Sequence, residues 1–309
     1  MPTAGRARSG LASPHARWQD RRRRAARTRG GAVNDPSARP QDLEPGAPPE
    51  VDLSRPSIAR VYDYVLGGKQ HFEADRRAGN SVFNALPESR LLAKDNRNLL
   101  RRMVRHLVGE AGIRQIVDVG SGLPTEGNVH EVAQAIDPSV RVVYVDNDPV
   151  VLAHGRALLG ENDTTTVITA DMRDPSSIFD DPATRQLIDE SRPFAILASG
   201  ILHHLPDEQD PWAVADALKR RLPVGGYMMI TNFLDDDEPR AKALERGFLE
   251  GGLGTGRFRT WAELRRFFDG LEMVEPGLVY ANDWRPDELT LADSPVHTLY
   301  AGGIGRRVA

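Results

Sequence analysis

From Gln115 onward, short apolar runs and helical stretches take turns, and this alternation limits the possible folds more than any single residue does. Runs rich in β-branched and other apolar residues stand at 115–119, 141–145, 166–170, 193–198 and 226–231. Between them the spacing predicts helices over about 126–136, 149–159, 176–190 and 211–222. Such a series implies an α/β fold: a Rossmann-like, doubly wound, mainly parallel sheet with helices on both faces, which binds ligands beyond the carboxyl ends of its strands. Two further runs, 272–280 and 296–301, are separated by a loop rather than a helix and are expected to pair antiparallel at the sheet edge, giving seven strands.

Upstream of this region Ile58, Val61, Tyr62 and Val65 recur at helical spacing, with Ser57 able to cap the helix and Gly67-Gly68 able to stop it. A second helical stretch runs from about 89 to 108, its leucines, Met103 and Val104 reading as packing. The first fifty residues differ: rich in Arg, Ala, Gly and Pro, they lack the apolar surface needed to offset the entropy of ordering. The expected organisation is a disordered tail over 1–50, a helical cap over 51–112 and a Rossmann-like domain over 113–309. The Arg21–Arg24 run reads first as a solvated tail, with an acidic partner or RNA as the alternative; another reading starts translation near Val33.

Composition narrows the chemistry. The 309 residues include no cysteine, which removes disulfides, thiolate metal sites and a Cys nucleophile, and points to a reducing cytoplasm. No apolar run approaches the roughly 20 residues that span a bilayer, so the expectation is a soluble protein with no membrane partner. Of the net charge of −4, the first thirty residues hold +8, leaving −12 for the rest, so the body should not bind nucleic acid by bulk charge.

The ends of the strands carry the functional signal. After the first, Asp118-Val119-Gly120-Ser121-Gly122 forms a glycine loop through which a ligand can approach the backbone, with the next helix's free N–H groups behind it. The second ends in Asp146-Asn147-Asp148-Pro149, 24 residues after Gly122. Asp146 is suited to accept from ribose hydroxyls, while Asp148 is read as the cap of the helix opening at Pro149. Asp171-Met172 follows the third strand, an acceptor for an adenine amino group beside an apolar contact for the ring. Ser199-Gly200 and the pair His203-His204 follow the fourth.

Together these residues resemble the class I S-adenosylmethionine-dependent methyltransferases over about 113–301. With Ser57-Ile-Ala-Arg-Val-Tyr62-Asp-Tyr-Val-Leu-Gly67-Gly68-Lys69 and Phe72 to Arg76, the chain looks closer still to an actinobacterial-type family of S-adenosyl methyltransferases over about 54–303. The resemblance implies S-adenosyl-L-methionine as cofactor, bound by Gly120, Ser121, Gly122, Asp146, Asn147, Asp171, Met172, Ser199 and Gly200; it does not identify the methyl acceptor, which is expected to be a small molecule. Pro124-Thr125 stands where the commoner pattern has a third glycine, so the loop is stiffer there. The aromatic helix ending in Gly67-Gly68-Lys69 is suited to close over the strand ends, which puts Tyr62, Gly68 and Lys69 at the cofactor and His71 and Phe72 on the pocket wall. Lys69 or Arg76 is expected to grip the methionine carboxylate or an acidic acceptor.

Methyl transfer from a sulfonium requires alignment and exclusion of water but no metal. A base is needed only for a poorly ionised hydroxyl or a protonated amine, and His203 and His71 are the candidates, with His204 beside them. Two rivals are a non-catalytic S-adenosylmethionine-binding regulator and an NAD(P)-dependent oxidoreductase; the second lacks a Tyr-x-x-x-Lys pair in the expected place.

Overall fold

The computed structural model describes residues 52–124, 127–159, 163–254 and 256–309. Contacts divide the chain into Met1–Pro48 and Pro49–Ala309, and the description concerns the second unit. The expected tail over 1–50 lies outside the described residues, as do Thr125 and Glu126.

Five strands build the parallel part of the sheet: β1 (Gln115–Val119), β2 (Arg141–Asp146), β3 (Thr165–Thr169), β4 (Ala195–Ser199) and β5 (Tyr227–Phe233). Their order is β3-β2-β1-β4-β5, so the winding reverses between β1 and β4 and opens a crevice at the strand ends there. Alternate residues serve opposite faces. Ile116, Val142, Leu197 and Met229 join one core cluster, while Val117, Val143, Ile196 and Met228 join the other. With both faces covered, the strands read as nearly continuous apolar runs.

Among the described residues three helices precede β1: α1 (Ile58–Leu66), α2 (Glu73–Ala85) and α3 (Ser89–Gly109). Leu99, Leu100, Met103, Val104 and Leu107 of α3 are buried in the first cluster. After β1 come α4 (Val129–Ile136), α5 (Pro149–Leu159), α6 (Pro175–Phe179), α7 (Pro182–Leu187), α8 (Pro211–Lys219), α9 (Pro239–Glu250) and α10 (Trp261–Arg266). The single helix expected over 176–190 is two, because Pro182 cannot continue a helix and instead opens α7, with the Asp181 carboxylate accepting from Ala183 N–H at 2.8 Å.

The far edge also departs from expectation. The run 272–280 is broken by a turn at Gly277 (φ 94°) into β6 (Glu272–Met273) and β7 (Val279–Tyr280), and the final strand, β8, is Tyr300–Arg306 rather than 296–301. β8 lies inside the sheet, antiparallel to β5 on one side and to β6 and β7 on the other, so eight strands occupy seven positions across. Its glycines explain the placement: a Cβ on Gly302 would sit 3.0 Å from Leu99 Cδ2 and one on Gly303 2.8 Å from Met273 Cε. Side chains there would crowd α3 and β6 and stand 3.1 Å from Ile230 O and Gly277 O. No described helix is long and apolar enough to cross a membrane.

Candidate active site

The glycine loop after β1 is shaped by backbone conformations that favour glycine. Gly120 and Gly122 have φ of 71° and 67°. A Cβ on Gly120 would lie 2.4 Å from Ile201 Cγ1, whereas one on Gly122 meets nothing within 4 Å and faces open space. The loop is tied to the end of β2: Gly120 N–H donates to Val145 O at 2.8 Å and Gly122 N–H to Asp146 Oδ2 at 2.8 Å. Asp146 Oδ1 accepts from Asp148 N–H at 2.9 Å. Burial raises the Asp146 carboxyl above its usual value, opposed by these N–H groups. Asp148 Oδ1 accepts from Val150 N–H at 2.8 Å, which makes Asp148 the cap and leaves Asp146 facing the crevice. Gly120→Ala is therefore expected to cost about 2 to 3 kcal/mol of stability, from left-handed strain plus overpacking, and to displace the loop. Denaturant unfolding of the variant checks it; an unchanged midpoint would mean that Ile201 moves aside freely.

α1 is fastened to α2 and to the turn after β2 by buried polar groups. Arg60 is 3% exposed and Asp75 0%. Arg60 Nε lies 3.2 Å from Asp75 Oδ1 and 3.9 Å from Asp148 Oδ2, and the Ser57 hydroxyl donates to Asp148. Asp75 also accepts from the N–H groups of Ser57 and Phe72 at 2.9 and 2.7 Å. This clamp swings α1 over the strand ends and places Tyr62 on the crevice wall, its hydroxyl donating to Ala93 O at 3.1 Å.

A network links the remaining strand ends. Asn96 of α3 donates to Tyr62 Oη at 3.3 Å, while its Oδ1 accepts from Thr231 Oγ1 at 2.9 Å and Ser199 Oγ at 3.4 Å. Asp171 is held by the Arg173 guanidinium, which keeps its carboxyl below the usual range. Asp118, 5% exposed at the end of β1, has its carboxyl pushed up to about 7, mainly by burial, with Arg97 opposing and Asp146 adding to the rise. His203, 1% exposed, has Nδ1 2.9 Å from Asn232 Oδ1. That oxygen also accepts from Phe233 N–H at 3.1 Å. A backbone N–H is an obligatory donor, so the facing atom is the amide oxygen, Nδ1 carries the proton, and Nε2 is left with a lone pair. Burial drives the His203 pKa well below its usual value, helped by His204, so the ring is neutral.

One cavity of about 960 Å³ gathers Tyr62, Gly120, Ser121, Gly122, Asp146, Asn147, Asp171, Met172, Ser199, Gly200, His203 and His204. Gly68, Lys69, His71 and Phe72 lie off its wall, which corrects the expectation for them. Gly68 is packed against Asp63, where a Cβ would stand 2.0 Å from the carboxylate, and Asp63 also takes Gln70 N–H at 2.7 Å. The glycines thus close a tight turn, and the His71 ring sits edge-on to Tyr64 at 4.9 Å. Arg76 is paired with Glu73 at 2.6 Å rather than aimed at a ligand. Arg97 instead lines the cavity with Asp118, and neither was assigned a role from sequence, although Asp118 opens the quoted glycine motif. Asn96 had a legible signal: it interrupts the apolar stripe of Leu92 and Leu100 at i, i+4 spacing. Phe248 had none, since α9 is not predicted from the sequence, and Phe233 lies beyond the strand expected over 226–231, which β5 extends to Phe233.

A parallel sheet that reverses beside β1, with a glycine loop tied to an acid at the next strand end, is the nucleoside-binding arrangement of the Rossmann-like class I methyltransferases. The sequence profile described as S-adenosyl methyltransferase matches residues 44–308, so the chain belongs to that family; it is an S-adenosyl-L-methionine-dependent methyltransferase. The fold is similar to that of a candidate methyltransferase from Thermobifida fusca YX, with 48% identity, TM-score 0.80, and coverage of 85% of this chain and 99% of that one. It is similar also to a DUF574 family protein from Streptomyces avermitilis MA-4680, with 38% identity, TM-score 0.79, and coverage of 83% and 99%. The search among curated proteins gives no match.

Proposed function

We propose that the protein methylates a small molecule bound in the same cavity as S-adenosylmethionine. The observation that carries this reading is the size of the cavity: about 960 Å³ is at the top of the roughly 300–1,000 Å³ range of single-ligand pockets, so it has room for a second ligand beside the cofactor. α1 roofs the strand ends, which favours a compact acceptor over a folded macromolecule.

The residues present fit the cofactor. Gly122 offers backbone with open space above it, and Asp146 keeps acceptor capacity for the ribose hydroxyls beyond its two N–H bonds. Met172 suits the adenine ring, and Asp171 suits its amino group in exchange for part of the bonding from Arg173, whose N–H and guanidinium make four hydrogen bonds to that carboxylate. Asp118 and Arg97, close enough for the guanidinium to act on the carboxyl, suit the ammonium and carboxylate of the amino-acid end. When bound, the cofactor supplies an electrophilic methyl group on a sulfonium. The protein's part is to hold donor and acceptor in line and to keep water out, which buried Asn96 and half-buried Tyr62 and Ser199 around the strand ends assist.

Asp146→Ala is expected to weaken S-adenosylhomocysteine binding by about 1.5 to 3 kcal/mol, roughly tenfold to a hundredfold, because a charged acceptor is lost. It also strips two N–H groups of their partner, so the melting temperature should fall as well. Calorimetric titration of the folded variant tests the role; wild-type affinity would restrict Asp146 to holding the loop. Turnover of S-adenosylmethionine in a small-molecule fraction of cell extract tests the acceptor class, and activity confined to the macromolecular fraction would overturn it.

A further inference from the structure

The two ends of the cavity differ in chemistry. Charged groups cluster where β1, β2 and β3 end, with Asp118, Asp146 and Asp171, and with Arg97 of α3. At the end of β5 the wall is formed by Phe233 of that strand, by Leu244 and Phe248 of α9, by Leu253 just after α9, and by Val82 of α2, none of them charged. Phe233 is the centre of a fixed aromatic group. It stacks on Phe258 with centroids 4.4 Å apart and planes 2° from parallel, and takes His203, Tyr300 and Phe248 edge-on at 4.7, 4.9 and 5.5 Å. α9 is seated firmly against α2, since Gly247 leaves space for Ala85 that a Cβ would fill at 2.7 Å.

Such a wall favours a flat ring, through dispersion and edge-to-face contact. It penalises an anion, which would lose its hydration with no cation in that part of the lining, Arg259 acting on His203 from behind it. The polar groups of the lining near this end include the imidazoles of His203 and His204 and the hydroxyl of Tyr300, with Asn96 beside the last. His203 is the one whose tautomer is fixed by Asn232 with a lone pair at Nε2.

We propose that this end of the cavity takes a planar, uncharged aromatic compound bearing a hydroxyl group, and that His203 Nε2 accepts the hydroxyl proton as the oxygen is methylated. The proposal rests on the methyltransferase reading above. The O–H bond breaks with its proton going to Nε2, and an oxygen electron pair forms the C–O bond. The S–CH₃ bond breaks with its pair staying on sulfur, so the sulfonium charge ends on the imidazolium, which later loses its proton to water. A buried, weakly basic imidazole suits a phenol, which ionises near about 10 as tyrosine does, far better than an alkanol.

The test uses protein saturated with S-adenosylhomocysteine, titrated by calorimetry with 2-naphthol, its saturated analogue decahydro-2-naphthol, and 2-naphthoate. The naphthol should bind at least about tenfold more tightly than either, and Phe248→Ala should remove at least about tenfold of its affinity while S-adenosylhomocysteine binding stays within about twofold. With S-adenosylmethionine, 2-methoxynaphthalene should form. His203→Gln should lower kcat about a hundredfold, within the usual range for a general base, with KM nearly unchanged. Its residual rate should climb with pH as naphtholate replaces naphthol, while the wild-type rate stays level through neutrality. His204 and Arg259, the charged or titratable groups acting on His203, are kept intact in both proteins. Equal or tighter binding of the saturated alcohol or the carboxylate, absence of naphthol binding, or full affinity in Phe248→Ala would overturn the assignment of this wall. Naphthol that binds but is not methylated, or a His203→Gln rate insensitive to pH, would overturn the role of His203. Wild-type protein that fails to bind S-adenosylhomocysteine would instead overturn the cofactor reading beneath both.

Discussion

Replacing Arg60 with Ala is expected to destabilise the protein by about 3 to 5 kcal/mol, the largest loss among the substitutions considered. Asp75 has no exposure to solvent, and Arg60 is its cationic partner at 3.2 Å. The N–H groups of Ser57 and Phe72 would still bind the carboxylate, but its charge would be buried without compensation. α1 would also lose its ion pair to Asp148, so cofactor affinity should fall along with stability. Urea unfolding of Arg60→Ala beside the double variant Arg60→Met/Asp75→Leu checks the cause. The double variant should recover more than half of the lost stability, because the Asp75 charge goes with its partner and only Asp148, still bonded by Val150 N–H, is left without Arg60, yet it should not recover the affinity. A loss below about 1 kcal/mol in the single variant would show that Asp75 is satisfied by its backbone donors alone.

Asp118→Asn should act in the opposite direction on stability and the same direction on binding. Burial pushes the Asp118 carboxyl up to about 7, against about 3.9 when unfolded. Between those values the folded state binds more protons than the unfolded one, so stability falls as pH rises from about 4 to about 7 and is level above. A shift of about three units corresponds to about 4 kcal/mol. The neutral amide escapes that penalty, so the variant is expected to be more stable than wild type by about 2 to 4 kcal/mol at pH 8 and nearly equal at pH 4. Cofactor affinity should meanwhile drop at least about tenfold, the ammonium group having lost its carboxylate. Unfolding at the two pH values and a calorimetric titration decide it; a stability difference independent of pH would assign the effect to packing. The opposed signs are those of a site that holds strain for function.

The strands that were legible in the sequence are those buried on both faces, such as Ile116-Val117 and Met228-Met229-Ile230, where burial itself demands an apolar run. Asp148 as cap was legible too, because Pro149 marks the first helical turn. β8 was misplaced since three of its seven residues are glycine, and its strand conformation is imposed by neighbours on both sides rather than by propensity. α9 was missed because its apolar positions are sparse and Gly247 interrupts them, a glycine there for close approach to α2. The Gly68-Lys69 corner drew a functional reading from its unusual composition, yet the composition serves the Asp63 turn. Arg97 and Asn96 belong to a helix whose packing role was plain, and which of its polar residues turn inward depends on how α3 crosses the sheet.

The internal position of β8 ties the site to the order in which the chain is synthesised. Until Tyr300–Arg306 has emerged, the far edge of β5 is seven residues of open backbone flanked by buried apolar side chains, the sort of template on which a second nascent chain can pair. The same late segment delivers Tyr300 to the cavity wall and gives β6 and β7 their only strand partner among the described residues. A chain truncated before Tyr300 would keep its glycine loop and its Asp146 but lose that part of the wall, and its open β5 edge would make it prone to aggregation.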